Sequence, residues 1–179
     1  MSAPAPWTVH VPPLTLWLPS VIRSFSGLNY FWTGVVAVLP FLLTVVVMVL
    51  VGIRSDQTGE RRWHTAVPAF IAGAGLTLAG YGTTTVIVVT GLALGMAFAE
   101  GMCGPFWALA TSSMAGLSAA AGIAMINSLA NLGGFFGPDI IGFFRDLSGG
   151  FRGGLLAIAA TVTLSGVIAL IVGRRRRTG

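Results

Sequence analysis

From Phe31 to Val51 the chain runs for 21 residues without one charged or amide side chain. An α-helix rises about 1.5 Å per residue, so a run of this length crosses the ~30 Å hydrocarbon core of a bilayer. No water reaches the backbone in lipid. Each N–H and C=O must then be satisfied within the protein, and a helix does this with a single segment. The rest of the chain has the same character: 55% of its residues are apolar and 8% charged, and its mean hydropathy is +0.88. That leaves too few charges to solvate the surface of a water-soluble domain of this size. The expected fold class is an all-α, polytopic membrane protein.

The apolar runs and their breakers divide the 179 residues. Met1–Pro13 contains four prolines and is expected to be irregular. Leu14–Phe25 is apolar but too short to cross, so it reads as half a span, closed by a turn at Ser26–Tyr30. Full spans follow at Phe31–Val51, Thr65–Gly80, Thr83–Ala110, Ala119–Phe143 and Leu155–Val172. Pro40 is expected to kink the first, and Pro105 to interrupt the third and free the Gly101 carbonyl. Polar or small-residue stretches at Gly52–His64, Thr111–Ser118 and Phe144–Arg152 are expected as loops. The organisation is thus five full spans plus a half span, a helical bundle over 14–173, and a basic tail over 174–179.

All ten basic residues are arginine, and the net charge is +5. Seven of the ten lie in Gly52–His64 and Arg174–Arg177, with four spans between these stretches. An even number of crossings puts both on one side, and the excess of arginine marks that side as cytoplasmic. The charge therefore orients the chain, with its C-terminus in the cytoplasm, and does not signal nucleic acid. The plasma membrane, in a bacterium the inner membrane, is the expected location, and the lipid bilayer is the partner that the composition calls for. Cys103 stands alone, and His10 and His64 are far apart. No metal site, no cofactor site and no paired acids or Ser–His arrangement can be read, so an enzyme is not expected.

Ala119–Gly142 spans a bilayer yet carries two asparagines. At ~100° per residue, Ala120, Asn127, Asn131, Gly134 and Pro138 share a narrow face, opposite Met125, Leu129, Leu132, Phe136, Ile140 and Phe143. A third stripe, Gly133-x-x-x-Gly137, suits close backbone approach. Two readings of the asparagines stand: they bond neighbouring helices, or they face a substrate as hydrogen-bonding groups. On the preceding span, Glu100, Gly104, Trp107 and Thr111 share a face with Ala93. Trp107 offers a flat wall and an N–H donor, or else anchors the helix at the interface. Glu100 is an acid within an apolar run. Low dielectric disfavours the charged form of such a group, which makes Glu100 a candidate for proton coupling, with neutral helix-to-helix bonding as the alternative.

Gly52-Ile-Arg-Ser-Asp56-Gln-Thr-Gly59-Glu-Arg61-Arg62 joins two spans. Gly52 suits close helix approach, Gly59 a sharp reversal, and Asp56 a partner among the arginines or at a helix start. The stretch resembles the loop signature G-x-x-x-D-R/K-x-G-R-R/K of the major facilitator superfamily, with Gln57 and Glu60 departing from it. L-T-L-W-L-P-S at Leu14–Ser20, G-P-F-W-A-L at Gly104–Leu109 and G-I-A-M-I-N-S-L-A-N-L-G-G-F-F-G-P at Gly122–Pro138 occur in order with it. Together they are similar to the carboxyl half of the anion:cation symporter branch, which includes tartrate, phthalate and hexuronate permeases. The resemblance implies the six-helix carboxyl half of a proton-coupled transporter of small organic anions working by alternating access. Asn127, Asn131, Trp107 and Thr111 would then be the substrate-binding candidates, Glu100 the coupling candidate, and Gly52, Asp56, Gly59, Arg61 and Arg62 the cytoplasmic gating loop. It also implies that a fragment lacking the amino half holds only one wall of a cavity, so a small carboxylate would be bound only once that half is supplied. A different class remains open: a small non-transporting protein that packs its helices against another membrane protein.

Overall fold

The computed structural model describes residues 13–112, 116–148 and 150–174. Every regular element among them is helical: α1 (Pro13–Ser26), α2 (Tyr30–Thr58), α3 (Arg61–Tyr81), α4 (Thr85–Gly101), α5 (Cys103–Thr111), α6 (Gly116–Ser148) and α7 (Arg152–Arg174). Among the described residues, three stretches are long and apolar enough to cross a membrane: Tyr30–Thr58, Thr85–Thr111 and Arg152–Ile171. The protein is an all-α, multi-pass membrane protein.

Several helix boundaries have local causes. Asn29 caps α2, its Oδ1 accepting from the Trp32 N–H at 2.9 Å, and Thr84 caps α4 by accepting from the Ile87 N–H. In α2, Pro40 supplies no N–H, and the buried Thr44 hydroxyl donates to the Pro40 carbonyl at 2.7 Å. The span expected at Thr83–Ala110 is two helices that meet at Met102, whose N–H reaches the Phe98 carbonyl at 3.1 Å. The ring of Pro105, three residues into α5, cannot continue the α4 ladder, which accounts for the break.

Two expected loops are shorter than their polarity suggested. Gly52–His64 is not a loop: α2 continues to Thr58, and only Gly59 and Glu60 lie between α2 and α3. The polar residues there are compatible with a helix, and the Thr58 hydroxyl donates back to the Arg54 carbonyl at 2.8 Å. Phe144–Arg152 shrinks likewise, because α6 continues to Ser148. The segments 1–12 and 175–179, which include the proline-rich start and most of the basic tail, lie outside the described residues.

α3 is the axis of the bundle. It packs along both α4 and α7, while α2 lies against α4, and α6 touches α7 and α1. The α3 contacts run through small residues. A Cβ on Gly75 would lie 2.8 Å from the Gly95 nitrogen, and one on Gly91 would lie 2.6 Å from the Gly75 carbonyl oxygen. On its other side, Gly73 meets the Thr163 side chain, and Gly166 meets Ala69 and the Ala66 carbonyl. Lipid offers no hydrophobic drive for two apolar helices to associate, so close van der Waals approach has to supply it, and small side chains permit that approach. Ala66, Ala69, Ala72, Leu76 and Ala79 are accordingly buried along α3.

Candidate functional site

The motif between α2 and α3 closes into a small network. Gly59 ends α2 at φ +65°, a conformation open to glycine at little cost. The reversal brings Arg61 back over the last turn of α2. Its Nη1–H donates to the Ser55 hydroxyl at 3.0 Å and pairs with Asp56 Oδ1. Glu60 caps α3: its Oε1 accepts from the Trp63 N–H at 3.4 Å, and its carbonyl accepts from His64 Nδ1 at 2.6 Å. Arg62 lies with its guanidinium 5.6 Å from the centre of the Trp63 ring.

Asp56, Gly59 and Arg61 are thus brought together. Gly52 is not part of a close approach: a Cβ there would meet nothing within 4 Å. That expectation is corrected, because the helix end lies six residues further on, where Gly59 does the turning. Two residues were missed as members. Ser55 is fully buried and positions Arg61, and Glu60, read only as a departure from the motif, is the α3 cap. The cap was legible in principle, since an acid just before a helix start suits its unpaired N–H groups.

The second group of candidates lies on different helices. Asn127 and Asn131 are exposed on α6, and so are Met125, Leu129, Phe136 and Phe143. Neither the asparagine face nor the bulky face is therefore covered at these described positions. The side chains at 132–135 and 137–141, with Gly134, Pro138 and the Gly133-x-x-x-Gly137 stripe, lie outside the described residues. Glu100 lies in the last turn of α4, and Trp107 and Thr111 lie on α5, all three half-buried. The Thr111 hydroxyl donates to the Trp107 carbonyl at 2.7 Å, leaving its lone pairs as the part able to meet a ligand. α5 packs on α3 and α2, whereas α6 packs on α7 and α1. The described residues thus form no extended seam between the asparagines and the Glu100–Trp107–Thr111 group. Among them no cluster of three or more His, Cys, Asp or Glu could hold a metal.

Comparison with known proteins bears on what such an arrangement belongs to. The chain is 39% identical over 161 residues to a putative tartrate transporter of Agrobacterium vitis, a match covering 90% of this chain and 36% of the relative. It is 28% identical to a quinolone resistance transporter of Acinetobacter baumannii, over 93% of this chain and 38% of that one. A hexuronate transporter of Bacillus subtilis is 25% identical, over 88% and 41%. The chain is homologous to a part of these bacterial transporters. The resemblance to bacterial transporters, carried by short motifs, is thereby borne out over most of the chain's length. The homologue spans a little over a third of the length of the curated relatives it matches. No family model matches it, and no solved structure does.

Proposed function

We propose that this homologue is the carboxyl-half portion of a secondary transporter of small organic anions, tartrate- or sugar-acid-like, driven by a proton gradient. The observation that carries the reading is the match to the putative tartrate transporter along nine-tenths of the chain. The exposed asparagines on α6 fit it, because polar side chains at membrane depth belong against protein or a wet cavity. In this reading α6 forms one wall of a cavity, with Asn127 and Asn131 bonding a hydroxyl or carboxylate, and Trp107 and Thr111 contribute from α5, a separate helix that packs on α3 and α2. Glu100 takes part in proton coupling. The bundle comprises five full spans and a half span, the Asp56–Arg61 turn is a cytoplasmic gating element, and the C-terminus is cytoplasmic. Alternating access needs a second helical unit to rock against this one.

The test joins the unmatched part of the Agrobacterium vitis transporter to this chain and measures proton-driven uptake of labelled tartrate and hexuronate in vesicles. Uptake by the chimera, with none by the chain alone, is the expected result. A chimera that inserts and folds but carries no organic acid overturns the substrate class. Robust uptake by the chain alone overturns the need for a second unit.

A further inference from the structure

The two ends of the bundle differ in whether a carboxylate takes part. At the α2–α3 turn, Arg61 is neutralised by Asp56, and Arg62 lies 5.6 Å from the centre of the Trp63 ring. At the opposite end, Arg23 lies over the ring of Tyr30 at 4.0 Å, and Arg152 over the ring of Tyr81 at 4.1 Å. Neither has a carboxylate partner among the described residues. These two pairs share one end because Arg23 and Tyr30 flank the α1–α2 turn, while Tyr81 ends α3 and Arg152 begins α7. The Thr85 hydroxyl donates to the Phe25 carbonyl at 3.0 Å, tying the α1–α2 turn to the start of α4, just beyond Tyr81.

The stacking has a consequence for the guanidinium edge. A ring contact occupies the flat face of the group and leaves its in-plane N–H donors pointing outward. Those donors match two oxygens of one phosphate in a fork. Tyr30 is 78% exposed and Tyr81 58%, so neither pair is sunk in the bundle, and both arginines are exposed. Phe31 and Trp32 are exposed beside Tyr30, and this aromatic cluster at a helix end belongs at the level of lipid headgroups. Depth, geometry and charge all select the same ligand chemistry.

We propose that Arg23 on Tyr30 and Arg152 on Tyr81 are two clamps for the phosphodiester headgroups of anionic phospholipids, set in the leaflet opposite the Asp56–Arg61 turn. The tyrosine holds the guanidinium flat, and the arginine edge holds the phosphate. This assignment does not depend on what the protein transports.

The full chain in nanodiscs of phosphatidylglycerol and phosphatidylcholine tests it, with a photo-crosslinkable phosphatidylglycerol headgroup as the probe. Crosslinks on the unaltered chain are expected around Arg23–Tyr30 and around Tyr81 and Arg152. Each of Arg23→Gln and Arg152→Gln should lower labelling at its own site about fivefold, the order expected for one basic side chain at an anionic surface. Arg23→Lys should retain part of it, since the charge stays and the fork is lost. Tyr30→Leu should weaken labelling at Arg23 alone. Crosslinks confined to the α2–α3 turn of the unaltered chain overturn the proposal, and that result needs no variant to fold. Displacement of the lipid by millimolar free tartrate also overturns it, because the same end would then be an anion mouth.

Discussion

Single residues at the α2–α3 turn have separable costs. Asp56 is 72% exposed, so its pairing with Arg61 contributes at most about 1 kcal/mol. Gly59 counts for more. Its φ of +65° disfavours a side chain, although a Cβ there would meet nothing within 4 Å. Gly59→Ala is therefore expected to destabilise by about 1–2 kcal/mol from backbone strain alone, read as a lower midpoint in thermal unfolding of the detergent-solubilised chain. An unchanged midpoint would mean that the reversal does not need the left-handed conformation. Gly59 and Asp56 were legible from the motif; the Ser55 bond was not. A serine near the end of an apolar helix carries no mark of which arginine will fold back onto it.

At the scale of the elements, α3 and its glycines hold the bundle together. Gly91 and Gly104 give a matched contrast. A Cβ on Gly91 would press on Ala79 and on the Gly75 carbonyl at 2.6 Å, whereas a Cβ on Gly104 would meet nothing within 4 Å. Gly91→Val is expected to cost about 3 kcal/mol or more, because backbone cannot give way as a side-chain tip can. Gly104→Ala is expected to be neutral, or to stabilise by up to about 1 kcal/mol through helix propensity. Comparable losses from both would show that the α3–α4 seam is not where the stability lies. Thr65–Gly80 was readable as a short, glycine-bearing span. Its place at the centre was not, since its small residues lower its hydropathy below that of its neighbours while being the feature that lets them close around it.

Across the whole molecule, burial is uneven. Ala66, Ala69, Ala72 and Ala79 of α3 are fully buried, while Asn127, Leu129 and Asn131 of α6 are exposed. Opening free energies follow buried contacts, so amide exchange should be slowest across Ala66–Ala79 and faster by at least tenfold across Ala119–Asn131. Equal protection would mean that α6 is covered by a face these contacts do not include. For Asn127, exposure separates stability from function. Asn127→Ala should shift the stability of the chain by no more than about 0.5 kcal/mol, as exposed substitutions do, yet lower tartrate uptake by the chimera about tenfold or more. Undiminished uptake would remove Asn127 from the substrate contacts.

Long uncharged runs, their proline and glycine breakers and the clustering of arginine determined, without coordinates, that this is an all-helical membrane protein, while its likeness to part of a transporter rested on the resemblance of a few short motifs. Those features are local: a helix in lipid depends on its own residues and on the absence of water. The tertiary structure decided which helix is central, that the Gly52–His64 stretch is mostly helix, and that Arg61 folds onto Ser55 while Arg23 and Arg152 stack on tyrosines. These depend on which surfaces can approach each other, and a glycine's value there comes from the atom opposite it, on a helix distant in the chain.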